Sequence, residues 1–161
     1  LPQPLQPGSG SVDGDLGAAF TRLWDGRRWL LNADLFYFDI NTGIGTVTFA
    51  EGRAVDLAAV RATTTEAGFD LEWTEIEVVG PVIRKEVEGA GALSLSLRSR
   101  GQEILVLPGE AEETRTRFTE VARLAGEPGK VLWIRGRAHA HPNGQVAMTI
   151  ETFTRVEERN E

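Results

Sequence analysis

Hydrophobic and polar positions change period several times along the chain. Between Asp13 and Gly26, Leu16, Ala19, Phe20, Leu23 and Trp24 recur at helical spacing, with Asp13 or Asp15 available as a cap and Gly26 just past the end. The period then shortens to two. "RRWLLNADLFYFDINTGIGTVTF" holds two runs of aromatic and β-branched residues around "NTG", the pattern of an antiparallel hairpin. Leu31, Ala33, Leu35 and Tyr37 share one face and Leu30, Phe36 and Phe38 the other, so this strand is expected to be central or covered twice. A second helix is predicted over residues 57–67, with Asp56 as N-cap, an apolar stripe of Leu57, Val60, Thr64 and Ala67, and Gly68 beyond its end. From Phe69 to Val79, Leu71 and Trp73 and then Ile76 and Val78 alternate with acids. That stretch reads as a strand passing directly from one module to the next.

The later pattern is strand, strand, strand, helix, strand, strand. "EIEVVGPVIRKEVEG", "GALSLSLRS" and "GQEILVLPG" are the first three, with Arg100 and Gly101 in the second connection. "GEAEETRTRFTEVARLAGEPGK" is an amphipathic helix with acids in its first turn, Phe118, Val121, Ala122 and Leu124 on its apolar side, and Gly126 and Pro128 as stop signals. "VLWIRGRAHAH" and "GQVAMTIETFTRV" form a closing hairpin through "PNG", and "EERNE" is a solvated tail.

Composition narrows the function classes. At 161 residues, 41% hydrophobic and 25% charged, the chain is that of a globular protein with room for one domain or two small cores. The net charge of -7 comes from acids spread along the sequence, so no general affinity for nucleic acid or an anionic membrane is expected. No cysteine is present, which removes disulfides, thiolate metal sites and thiol nucleophiles together. No apolar run approaches the roughly 18 residues that span a bilayer. The sequence opens at Leu1 with "LPQPLQPGSGS", which reads as an extended tether after a removed signal peptide or an anchor outside these residues. An extracytoplasmic location, in the periplasm or at the cell surface, is the resulting expectation.

The run "TGIGTVTFAEGRAVDLAAVRATTTEAGFDLEW", within Arg28 to Trp73, resembles the second half of the heavy-metal-associated domain family. The resemblance lies in the hairpin ending "GTVTF", the helix with its Gly-aromatic exit and the final strand, and it implies a ferredoxin-like βαββαβ fold. Metal-carrying members hold soft metals with two cysteines at the turn into the first helix. The corresponding "SVDGDLGAAF" offers only Ser11, Asp13 and Asp15, so the resemblance implies the fold and argues against metal transfer. Trp73 to Val156 resembles an OB-fold, barrels that bind oligonucleotides, sugars, peptides or nothing.

Candidate chemistry is sparse. Trp133, Arg135, Arg137 and His139 alternate along one strand face and form the best ligand-binding row, weighed against a core tryptophan with arginine stems lying over the barrel. The acids Glu151, Glu157 and Glu158 on or after the partner strand count against that row. His139 and His141, two apart on a strand, point to one side and make half of a zinc or copper site that Thr149 or Glu151 could complete. An ordinary exposed hairpin end looks the same. With both histidines at one hairpin end no Ser, His and Asp order is persuasive, no "GxSxG" elbow occurs, and "TGIGT" lies within a hairpin instead of between a strand and a helix, so no catalytic residue is assigned and no enzyme activity expected. Trp24, Arg27, Arg28 and Trp29 supply the Trp and Arg mix enriched at protein interfaces.

The sequence therefore reads as an α+β chain. Its expected parts are a leader at 1–12, a ferredoxin-like domain lacking its cysteine pair at 13–73, a small OB-like barrel with one helix at 74–157, and a charged tail at 158–161. The expected function is a non-catalytic accessory or scaffold subunit without cofactor, docked on a larger, membrane-associated or soluble, protein assembly, with no nucleic-acid partner. The alternatives are metal binding or sensing through His139 and His141, and an OB-type ligand-binding module.

Overall fold

The computed structural model of the chain describes residues 33–39, 42–49, 53–85, 93–96 and 101–156. They divide into two units between Glu72 and Trp73. In the first, β1 (Ala33–Asp39) pairs antiparallel with β2 (Ile44–Phe49), and Asp39 stands opposite Ile44 across the expected turn. The helix α1 (Leu57–Glu66) starts where the sequence places its cap, the Asp56 carboxylate accepting the Ala59 N–H at 2.9 Å. Its exit is a Schellman closure: Phe69 N–H donates to the Thr64 carbonyl at 3.1 Å and Gly68 N–H to that of Thr65 at 3.0 Å. The closure requires φ of +88° at Gly68, a conformation that costs a residue with a Cβ. Val55, Leu57 and Ala67 are buried, and Val47, Phe49, Ala59 and Val60 are partly buried against the apolar cluster of this unit.

Two expectations change here. The strand predicted from Phe69 begins only at Glu75, because Phe69 is used to close α1 and the ladder that holds the strand has its first rung at Glu75. The ferredoxin-like βαββαβ arrangement is not shown, since the described part of this unit is one hairpin and one helix. The helix predicted around residues 16–24 and the docking residues Trp24, Arg27, Arg28 and Trp29 lie outside the described residues.

The second unit is built from β3 (Glu75–Gly80), β4 (Val82–Arg84), β5 (Leu93–Ser96), β6 (Glu103–Leu107), α2 (Glu112–Leu124), β7 (Val131–Ala140) and β8 (Val146–Val156). Their hydrogen-bonded order is β3-β7-β8-β6-β5-β4. β6 and β8 run parallel, and the other pairings are antiparallel. The stretch "EIEVVGPVIR", predicted as one strand, is broken at Pro81, which has no N–H to give a ladder. The break lets one bent segment serve both ends of the sheet, β3 against β7 and β4 against β5, so the sheet curls back on itself.

Its interior is filled by Ile104 and Val106 of β6, Leu132 and Ile134 of β7, and Val146, Met148 and Ile150 of β8. Burying each such side chain contributes about 1.5–3 kcal/mol relative to exposure. α2 packs on β8 and β4 with Val121 fully buried, and Arg84 of β4 donates to the Ala122 carbonyl at 2.9 Å, satisfying one of the carbonyls that a helix end leaves open. Among the described residues no helix is long and apolar enough to cross a membrane.

Candidate binding face of the barrel

Strand periodicity decides what the barrel presents outward. On β7, Leu132, Ile134 and Gly136 are buried, so Trp133, Arg135, Arg137 and His139 share the opposite, outer face. On β3, Ile76 and Val78 are buried, and Glu75, Glu77 and Val79 face out beside them. The register sets Glu75 opposite Arg137, Glu77 opposite Arg135, and Val79 opposite Trp133. The predicted row of Trp133, Arg135 and Arg137 is therefore one continuous stripe in three dimensions.

The charged groups on this stripe do not simply pair straight across. Arg135 leans diagonally to Glu75, Nε to Oε1 at 3.4 Å, an approach in which the N–H is not aligned on the oxygen. Arg137 reaches the other way to Glu151 of β8 at 3.3 Å while its guanidinium lies 5.2 Å from the centroid of Trp73. Glu151 comes within range because a register shift between Arg135 and Gly136 leaves it as the extra residue between Ile150 and Thr152. Close approach at that bulge is what requires glycine at 136: a Cβ there would strike the Thr149 carbonyl.

Glu75 and Glu151 then face each other. Burial, the hydrogen bond with Glu151 and its like charge push the Glu75 carboxyl above its usual range, against the opposing pull of Arg135. With Glu77 counted, three carboxylates answer two guanidiniums on this face. Trp73, 43% exposed, and Val79, 48% exposed, add apolar area beside them.

Trp73 was not among the residues singled out from the sequence. Its signal is there as a change of parity: Leu71 and Trp73 are odd, whereas the buried Ile76 and Val78 are even. Trp73 thus falls in step with the outward Glu75 and Glu77.

His139 and His141 stand at the end of β7 with ring centroids 4.9 Å apart and planes at 68°. Neither predicted third ligand joins them in the ladder, since His139 faces Ala147, Thr149 faces Arg137, and Glu151 is held by Arg137. Among the described residues no group of three or more His, Cys, Asp or Glu side chains is arranged to hold a metal ion.

Strand order and face together define an OB-fold barrel over residues 73–156. No family model matches the sequence, and no curated protein does. Nothing in these comparisons supports a heavy-metal-associated domain in the first half.

Solved structures similar to the barrel include Rim1, a mitochondrial single-stranded DNA binding protein from S. cerevisiae, at 10% identity and a TM-score of 0.38, covering 56% of this chain and 100% of that one. The Stn1-Ten1 complex of S. pombe matches at 16% identity and 0.37, covering 53% of this chain and 60% of that one. OBody AM1L10, bound to hen egg-white lysozyme, matches at 19% identity and 0.40, with 55% and 83% covered. The likeness is coarse at these scores, and the barrel assignment rests on strand order and register.

The absence of a nucleic-acid partner was read from net charge, yet Rim1 is among the structures similar to this barrel. Net charge sums the whole chain and does not decide what a single face carrying Trp133, Arg135 and Arg137 binds.

Proposed function

We propose that residues 73–156 are a non-catalytic binding module whose ligand lies across the outer face of β3 and β7, with a peptide segment of a partner protein as that ligand. The observation that carries the reading is the stripe of Trp73, Val79, Trp133, Arg135 and Arg137 on one exposed face. Trp and Arg are the side chains that most often anchor protein interfaces, and two exposed apolar residues give them area to bury. Charge favours a peptide over a polyanion. Arg135 and Arg137 are each already paired with a carboxylate, so a phosphate chain would have to displace Glu75 and Glu151.

A second reading, a single nucleic-acid strand, is favoured by one feature: the Arg137 and Trp73 stack offers an exposed indole of the kind on which bases stack. One experiment separates the two. Displayed random peptides are selected on the wild-type protein and counter-selected on a Trp73→Ala/Arg137→Ala variant, and a labelled oligothymidine is titrated into both proteins. Peptides that bind the wild type at least tenfold more tightly support the proposal. Oligothymidine binding that is lost in the variant and weakens with salt replaces it with the second reading. Identical behaviour of both proteins towards both probes removes the face from consideration.

For the first unit, the succession of hairpin β1–β2 and helix α1 is compatible with half of a ferredoxin-like arrangement, which is proposed for it on that order alone.

A further inference from the structure

We infer that the tip of the β7–β8 hairpin is a two-imidazole chelating site for a late divalent transition metal, zinc or copper, formed by His139 and His141. His139 continues the outer row of β7 two residues beyond Arg137, whose guanidinium is engaged by Glu151 and Trp73. Three observations carry it. First, the two rings, on the last outward residue of β7 and just past its end, are close together, with centroids 4.9 Å apart. Two imidazole nitrogens bound to one ion at about 2.0–2.1 Å, with a bond angle of about 90–110° at the metal, place their ring centres roughly 4.5–5.2 Å apart. The observed spacing falls inside that interval, so the distance between the rings is one at which they hold a shared ion once a nitrogen of each is turned toward it.

Second, the hairpin end that displays them is tied down. His141 N–H donates to the Gln145 carbonyl at 2.8 Å, Gly144 N–H to the His141 carbonyl at 2.8 Å, and Gln145 N–H to Asn143 Oδ1 at 3.0 Å. A chelate built on an ordered backbone loses less conformational entropy on binding than one on a loose loop. Third, on the β8 side the ladder neighbour of His139 is Ala147 and the next rung joins Ala140 to Val146, so neither of these rungs sets a charged side chain against the imidazoles.

Neutral nitrogen donors without carboxylates suit zinc, nickel and divalent copper, and do not suit calcium or magnesium. Because no third protein ligand is assembled among the described residues, the remaining positions of the ion are open to water or to a donor atom of another molecule. The site is therefore of the capturing kind and differs from the closed, four-ligand structural kind.

The test is calorimetric titration of the purified protein with zinc chloride, repeated on His139→Ala and His141→Ala, together with NMR of the histidine ring protons. The expected result is at least a tenfold loss of affinity in each single variant and zinc-dependent shifts of both imidazoles in the wild type. Equal affinity in wild type and variants, a loss confined to one of the two, or the absence of ring shifts overturns the inference. Both residues lie at a hairpin end, and an unchanged circular dichroism spectrum confirms that the variants compared are folded.

Discussion

The guanidinium of Arg137 lies 5.2 Å from the centroid of the Trp73 ring, joining β7 to the segment that leads into β3. The same side chain donates from Nε to Glu151 of β8 at 3.3 Å, so one arginine links three parts of the barrel's outer face. Its side chain is 59% exposed, which keeps both interactions modest. Arg137→Ala is expected to destabilise the barrel by about 0.5–1.5 kcal/mol, read by urea unfolding, and to change the emission of Trp73. Arg137→Lys should recover part of the stability and less of the emission, because an ammonium lacks the planar fork that stacks on indole.

Two carboxylates should give the pH dependence of stability opposite signs. Glu75 stands above its ordinary value of 4.5 in the fold, so its contribution is present below that value and is lost as pH rises through the raised one. Glu103 stands below 4.5, chiefly through its hydrogen bond from Lys85 at 2.8 Å, so its contribution is present above 4.5 and lost as pH falls through the lowered value. Unfolding midpoints measured from pH 3 to 7 should therefore lose a falling limb in Glu75→Gln and a rising limb in Glu103→Gln. The same slope in both variants would contradict the assignment.

Gly136 faces the interior at the bulge, where an added methyl group meets the Thr149 carbonyl and not a movable side chain. Gly136→Ala is expected to cost about 1–3 kcal/mol, the range for overpacking a closed interior. It should also disturb the Arg137 and Glu151 pair, since that contact depends on the same bulge. A thermal melt checks the first effect, and the pH profile above checks the second.

Ile134 is fully buried on the central β7, flanked by β3 and β8. Ile134→Ala should cost about 2–5 kcal/mol by leaving a cavity that its neighbours cannot close. Trp133→Ala, one residue away but facing outward, should cost less stability and more ligand affinity. That contrast is read by chemical unfolding and by the peptide or oligonucleotide assay on the same two variants.

The parts legible in the sequence were those decided by neighbours along the chain. Asp56 and Gly68 announced α1 because a cap and a left-handed exit each act within one turn. The outward stripe of Trp133, Arg135 and Arg137 was legible for a similar reason, since strand alternation is a local rule.

What the sequence hid depends on pairing. Pro81 was visible, but that it separates one strand into partners for β7 and β5 is a property of the closed sheet. Glu151 was placed near the histidines by simple alternation, and one bulge gave it to Arg137 instead. Charge was misread in a different way: a sum over 161 residues stood in for the field at one face, which that sum does not determine.

The order of strands also sets an order of assembly. β3 has its ladder with β7, and β6 has its parallel partner in β8, so both seams wait for residues 131–156. A growing chain can form the β4–β5–β6 meander early, while β3 stays without a mate until the closing hairpin is made. That hairpin is the keystone of the barrel: it supplies the partner strand at both junctions, and the face carrying Trp133, Arg135 and Arg137 is complete only when β3 has joined β7.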